Sequence, residues 1–308
     1  LSMLKPTTIC VLGPTASGKT ALGVRLAEAF FGEVINADAR QLYQGAPIGT
    51  GIPHGYVSRV PGEGVLAGVP HHLFAVSPPS QIWTASDWCK EAELRMAAIL
   101  ARGHVPCIVG GTGMYIRALT EGFVFSGAPN PDLRASLLAL PVEDRRRRLL
   151  ERAPEAERLI DMKNPHRVLR ALERVMQGDA LLPRRVPPSY QYYKLARWHT
   201  PEALRSRIEA TIQRQLAEGW VDEVRQLLRS GVSVDSPLMQ SIGFRTIASA
   251  IEHDVTAVEL REAIIRETWA YARRQMTWLR KEPQLHWVQS EEEAYTLVSG
   301  WLASARQA

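Results

Sequence analysis

Eight consecutive residues, Gly13-Pro14-Thr15-Ala16-Ser17-Gly18-Lys19-Thr20, fit the pattern G-x-x-x-x-G-K-[ST] in full. Such a loop, set between a strand and a helix, offers backbone N–H groups to phosphate oxygens at the helix N-terminus. Lys19 adds a point charge, and the Thr20 hydroxyl is a hard oxygen of the kind that holds Mg²⁺. The pattern specifies phosphate without specifying whose. Asp38 heads a second chemical segment, Asp38-Ala39-Arg40-Gln41-Leu42-Tyr43. A carboxylate beside a phosphate loop can act as a metal ligand or a general base; its structural alternative is the N-cap of a following helix. A third segment, Gly110-Gly111-Thr112-Gly113, lets backbone approach a ligand closely because glycine lacks a Cβ. A phosphate-loop NTPase usually ends a strand of apolar residues in a metal-binding aspartate. Here the run Val105–Val109 ends in Gly110 and Gly111, and Asp38 is the nearest acid, so hydrolysis is weakly supported and a small-molecule kinase stays open.

These residues need a scaffold. Thr7–Gly13 is β-branched and apolar and predicts a buried strand, followed by a helix from Lys19 to about Phe31. Glu33–Asp38 and Val105–Gly110 predict two more strands. Strands alternating with helices imply a parallel sheet with ligands at its carboxyl ends. Gly13, Asp38 and Gly110 all fall at such ends, so three motifs are expected on one rim. From Pro131 to Leu182 the pattern turns helical and arginine-rich, and residues 183–199, with Pro183, Pro187 and Pro188, read as a linker or return segment. Thr200-Pro201-Glu202 marks a helix start with proline at the first position; the helix runs to about Ser230. Thr256-Ala257-Val258-Glu259 is a capping box opening a helix to about Lys281.

The 308 residues carry a net charge of +5, with 45% hydrophobic residues, an ordinary soluble balance. No apolar run approaches the ~20 residues of a membrane helix. Cys10, Cys89 and Cys107 lack metal-ligand spacing and suit a reducing, cytoplasmic setting. The charge is uneven: residues 131–200 hold 15 Lys+Arg against 9 Asp+Glu, whereas 201–308 hold 13 against 15. A local basic excess is the footprint expected for phosphate backbones, and equally that of a solvated helical face. Arg145–Arg148 is read as such a face, and the adjacent His71 and His72 as structural or channel-lining, since strand neighbours point opposite ways.

In order and spacing, these motifs resemble the tRNA dimethylallyltransferase family. To the loop, the Asp38–Tyr43 segment and Gly110–Leu119 are added Ile48-Gly49-Thr50, Val69-Pro70-His71-His72-Leu73, Arg167–Glu173, Gln240–Arg245 and Arg273–Lys281, spanning nearly the whole chain. The resemblance implies an α/β fold: a P-loop NTPase-like core with a parallel sheet flanked by helices, formed by 1–125 and 200–308, plus an inserted all-helical basic tRNA-binding domain at 126–199. It implies transfer of a dimethylallyl group from its diphosphate to N6 of adenosine 37, beside the tRNA anticodon, on a flipped base. By the same resemblance, Asp38 is the general base, Gly13–Thr20 hold the diphosphate, and Lys19 and Arg245 stabilise its departure with Mg²⁺ at Thr20. Asp38, Ala39, Arg40, Gln41 and Thr112 meet the target nucleotide. Arg134 and the turn Lys163, Asn164, Pro165, His166 and Arg167 contact the anticodon stem-loop, as do Gln240, Ser241, Ile242, Gly243, Phe244 and Arg245. The family usually has serine at Ala39. The implied partners are tRNA and dimethylallyl diphosphate; no membrane is expected, and no feature of the sequence demands more than a monomer. The competing readings are a prenyltransferase for free adenine nucleotides, a metabolite kinase, and a non-catalytic RNA binder.

Overall fold

The computed structural model describes residues 5–125, 130–253 and 255–307. The strands are β1 (Thr7–Leu12), β2 (Gly32–Asn36), β3 (Val57–Val60), β4 (Gly62–Leu66), β5 (Val69–Phe74), β6 (Val105–Gly110), β7 (Phe123–Val124), β8 (Arg184–Arg185), β9 (Gln191–Arg197) and β10 (Leu285–Val288). Eight build one sheet in the order β10-β9-β1-β6-β2-β5-β4-β3. It is parallel from β10 to β5, and β4 and β3 add an antiparallel edge. The central strands β1 and β2 are buried along almost their whole length, as their continuous apolar and β-branched runs require.

Register decides what the sheet can display. In β6, Gly110 lies opposite Leu12 of β1, and Val109 lies opposite Asn36 of β2. The three carboxyl ends are therefore level and adjacent, and the loops that follow them share one rim.

The helices are α1 (Lys19–Ala29), α2 (Pro47–Thr50), α3 (Ala85–Ala101), α4 (Gly113–Thr120), α5 (Pro131–Leu138), α6 (Val142–Arg152), α7 (Ala156–Leu159), α8 (Pro165–Met176), α9 (Pro201–Ala217), α10 (Trp220–Arg229), α11 (Phe244–His253), α12 (Ala257–Leu279) and α13 (Glu291–Gln307). Leu22 and Leu26 of α1, one turn apart, pack with Ile9, Val11 and Cys107 of the sheet, joined by Ala294, Val298 and Leu302 of α13. A second core binds α9 to α12 around Trp220 and Phe244, whose rings meet edge-on at 5.7 Å. The Thr256–Glu259 capping box opens α12 as expected.

The chain divides into two compact units, one of Leu1–Thr120 with Ser189–Ala308 and one of Glu121–Pro188. The second has its own core, from Leu137 to Leu172, and holds α5 to α8. It also holds the short β7–β8 pair, so it is not purely helical.

Two local expectations fail. The segment 183–199, read as a linker or return segment without regular structure, contains β9, which pairs with β1 from Thr7↔Gln191 to Leu12↔Ala196. The single helix expected from Pro201 to Ser230 is two, broken where Gly219 adopts φ +100° and heads α10.

Candidate active site

The phosphate loop leaves β1 at Leu12 and enters α1 at Lys19 through Gly18, a left-handed residue at φ +82° that only glycine adopts without strain. Ala16 is also left-handed, at φ +60°, a conformation costing about 1–2 kcal/mol that the surroundings must hold. Two side chains grip this stretch from outside. The Arg207 Nε–H donates to the Ala16 carbonyl at 2.8 Å, and the His199 Nε2–H to the Ser17 carbonyl at 2.8 Å. Holding carbonyls outward leaves amides free to face a ligand. The Thr15 N–H is taken by Gln275 and the Ser17 N–H by the Pro14 carbonyl. The N–H groups of Ala16, Gly18, Lys19 and Thr20 have no acceptor among the described residues. Those four, at a helix N-terminus, are free to receive an anion, whereas the Thr15 and Ser17 amides are engaged.

Lys19 keeps some solvent exposure, yet desolvation by its protein surroundings lowers its pKa, with the charge of Asp38 pulling the other way. That pull places the Asp38 carboxylate within electrostatic reach of the loop lysine.

Asp38 lies two residues past β2, and no helix follows it directly, so it is not an N-cap. Its Oδ1 accepts the Arg40 N–H at 3.0 Å, closing a tight turn. Its other oxygen takes no hydrogen bond among the described residues, which leaves it open to a proton or a cation. The fully buried Asn36 sets this turn: its Oδ1 accepts the Asp38 N–H at 2.9 Å, and its Nδ2–H donates to the Leu73 carbonyl. Across the rim, the Thr112 hydroxyl accepts the Ala39 N–H at 2.9 Å, and the Thr112 N–H donates to the Ala37 carbonyl. A Cβ on Gly110 would lie 2.2 Å from Ala37 backbone, so only glycine permits this closeness. Trp88 and Tyr115 stack at 4.9 Å behind the turn. Burial pushes the Tyr115 and Tyr271 hydroxyls well above the usual phenol range, with Asp38 adding in the same direction.

For Mg²⁺, the donor set fits. Among the described residues no group of three His, Cys, Asp or Glu forms a protein-built metal cage. Mg²⁺ needs none: it is held by one or two hard protein oxygens together with substrate phosphate and water. The Thr20 hydroxyl, beside the four free amides, is such an oxygen.

Other expected residues are placed differently. Arg245 is exposed and pairs with Asp235 at 3.3 Å; it shares a groove with Gln240, Ser241, Ile242 and Arg274 and makes no hydrogen bond to the phosphate loop. The Phe244 side chain is fully buried and Gly243 packs on Trp220, so in this structure these two hold the turn in place. Within the second unit, the Asn164 Oδ1 caps α8, accepting the His166 and Arg167 N–H groups, with Pro165 at the first position. Lys163, His166 and Arg167 are exposed. Arg134 is bound to Glu173 at 2.6 Å. Arg145 is buried, unlike the solvated face expected of it. His72 bonds to Glu33 and His71 to the Val69 carbonyl, so both are structural. Asn36, His199 and Arg207 carry no role in the sequence reading, and Gln275 enters it only as a member of the Arg273–Lys281 motif.

Fold and rim define a phosphate-loop α/β protein whose loop faces an acidic turn across a level sheet edge. A family profile described as IPP transferase matches residues 41–282. The chain is 35% identical to a tRNA dimethylallyltransferase of Roseiflexus sp., over 96% of this chain and 98% of that one. It is 39% identical to one of Thermus thermophilus, over 94% and 95%. Among solved structures, a full-length tRNA isopentenylpyrophosphate transferase from Bacillus halodurans matches with a TM-score of 0.72 at 28% identity, over 98% of this chain and 99% of that one. The chain belongs to the IPP transferase family.

Proposed function

We propose that this protein transfers a dimethylallyl group from dimethylallyl diphosphate to N6 of the adenosine beside a tRNA anticodon, in the cytoplasm. The observation that carries the reading is the rim: a phosphate cradle after β1 and a half-free carboxylate, Asp38, after β2, on the two strands that flank β6. Family membership and the names of the relatives support the substrate pair. The three cysteines are free and buried, and no described helix is long and apolar enough to cross a membrane.

In the proposed step, N6 of the adenine attacks the allylic carbon as the carbon–oxygen bond to the diphosphate breaks. The bonding pair leaves with the diphosphate, and the N6 proton passes to the open oxygen of Asp38. Charge grows on the departing group, where the amides of Ala16, Gly18, Lys19 and Thr20 and the Lys19 ammonium stabilise it electrostatically. Mg²⁺ at the Thr20 hydroxyl would add neutralising charge there. Thr112 fixes the Ala39 amide and so aims the Asp38 turn. Arg245 would have to exchange Asp235 for diphosphate or RNA to act.

The test is to incubate the protein with Mg²⁺, dimethylallyl diphosphate and either unmodified tRNA or AMP, and to look for prenylated adenosine by mass spectrometry. The expected product forms on tRNA. Product on AMP alone would make it a nucleotide prenyltransferase, and ATP turnover without prenyl transfer would make it a kinase.

A further inference from the structure

Gln275, in the penultimate turn of α12, is 2% exposed, and both ends of its carboxamide are used. Its Oε1 accepts the Thr15 N–H at 2.8 Å, and its Nε2–H donates to the Gly111 carbonyl at 3.0 Å. One planar group therefore spans the phosphate loop and the glycine loop after β6. The fit is close: a Cβ on Gly111 would stand 2.5 Å from Gln275 Nε2. Tyr271 lies one turn earlier on α12, and its buried hydroxyl senses the charge of Asp38. Beyond Gly111 the chain of contacts continues through Thr112, whose hydroxyl holds the Ala39 amide next to Asp38.

We propose that Gln275 is a positioning residue that couples the phosphate loop to the Asp38 turn, so that a diphosphate in the loop and a nucleotide at Asp38 strengthen each other's binding. The inference rests on the function proposed above. The chemistry of the position demands an uncharged side chain with one acceptor and one donor. A carboxylate has no donor for the Gly111 carbonyl, an ammonium has no acceptor for Thr15, and an apolar chain would leave both backbone groups buried and unpaired. A purely structural strut could sit anywhere along α12. This one joins the two loops that must move together if one ligand is to sense the other. Such coupling is reciprocal, and its usual size is about 5- to 150-fold.

The experiment measures affinity for an anticodon stem-loop RNA by fluorescence anisotropy in Mg²⁺, with and without the unreactive thiolodiphosphate analogue of the donor. Wild type, Gln275→Glu and Gln275→Met are compared. In wild type the analogue should tighten RNA binding at least about fivefold. Gln275→Met should reduce that effect below about twofold while each ligand alone binds within about threefold of wild type; kcat should fall about tenfold or more, and each KM measured with the other substrate saturating should rise by the coupling factor that is lost. Gln275→Glu keeps the Thr15 bond and loses the Gly111 bond, so its coupling should be intermediate. Wild-type coupling retained in Gln275→Met, absence of coupling in wild type, or equal loss of both separate affinities would overturn the proposal. Failure of the wild type to prenylate RNA would instead overturn the function on which it rests.

Discussion

The two ends of β2 hold two acids, Glu33 and Asp38, five residues apart and opposite in circumstance. Glu33 is buried, and its carboxylate is saturated. Arg102 Nε and Nη2 donate to its two oxygens at 2.9 and 2.7 Å, His72 Nε2 at 2.6 Å and His104 Nδ1 at 2.7 Å. Burial alone would raise the Glu33 pKa; the hydrogen bonds from Arg102, His72 and His104 and the Arg102 charge more than offset it, and the group sits at about 2. Asp38 is half-buried, spends one oxygen on its own turn and keeps the other open. A buried carboxylate with every lone pair engaged can only hold structure. A carboxylate held in place by its neighbours, with capacity left over, can do chemistry. The comparison separates stability from activity along a single strand.

Substitution at Asp38 should show the larger effect. Asp38→Asn should lower single-turnover prenyl transfer by about 10²-fold or more, the usual scale of a lost general base. The melting temperature and the RNA affinity should stay near wild type, because the Arg40 turn survives in the amide. A collapse of melting temperature would move Asp38 to the structural side of the comparison.

Glu33→Gln should do the reverse. Losing the charge from this cluster should destabilise the fold by about 1.5–3 kcal/mol, the range for hydrogen bonds to charged groups, as measured by urea unfolding. Arg102 is half exposed and can return to water, which keeps the cost below that of a fully buried ion pair. The kcat at a temperature well below unfolding should change by less than about twofold, since the cluster lies at the strand end remote from the rim.

Acid sharpens the same contrast. The Glu33 pKa is depressed in the folded state, so its contribution is fully present above the unfolded value of about 4.3 and is lost as pH falls towards about 2. Unfolding free energy measured against pH should therefore fall less steeply between those values in Glu33→Gln than in wild type. Parallel curves would mean that other carboxylates govern the acid limit.

What the sequence reveals follows from locality. The phosphate loop, Asp38 and Gly110 are legible because each sits at the end of a short apolar run, and parallel alternation puts those ends together. The turns at Thr256 and Thr200 are legible because caps are written in neighbouring residues. What is hidden depends on distant partners. Gln275 meets Thr15 across 260 positions, Arg207 meets Ala16 across 191, and His199 meets Ser17 across 182. The strand β9 is hidden for the same reason: the prolines before it suggest a linker or return segment, and its partner β1 lies far upstream, Thr7 meeting Gln191. Local pattern marks the candidate residues; only tertiary contact shows which residues hold them in place.

The second unit repeats the saturated-versus-open distinction in cations, at smaller scale. Arg134 is engaged by Glu173, whose carboxylate also takes Arg170. Arg167 is exposed, and among the described residues its side chain has no ion-pair partner. A cation already neutralised by a carboxylate releases few counterions on meeting a phosphate, whereas a free one releases close to its full share. Arg167→Ala should therefore reduce the slope of log affinity against log salt for the anticodon stem-loop by about 0.7–0.9, with affinity lowered about threefold at moderate salt. Arg134→Ala should change the slope by less than about half as much, its main effect being a small loss of stability in the unit as Glu173 loses its partner. Equal slopes for the two variants would mean that RNA pulls Arg134 away from Glu173, and that ion pairing in the free protein does not foretell which cations the RNA uses.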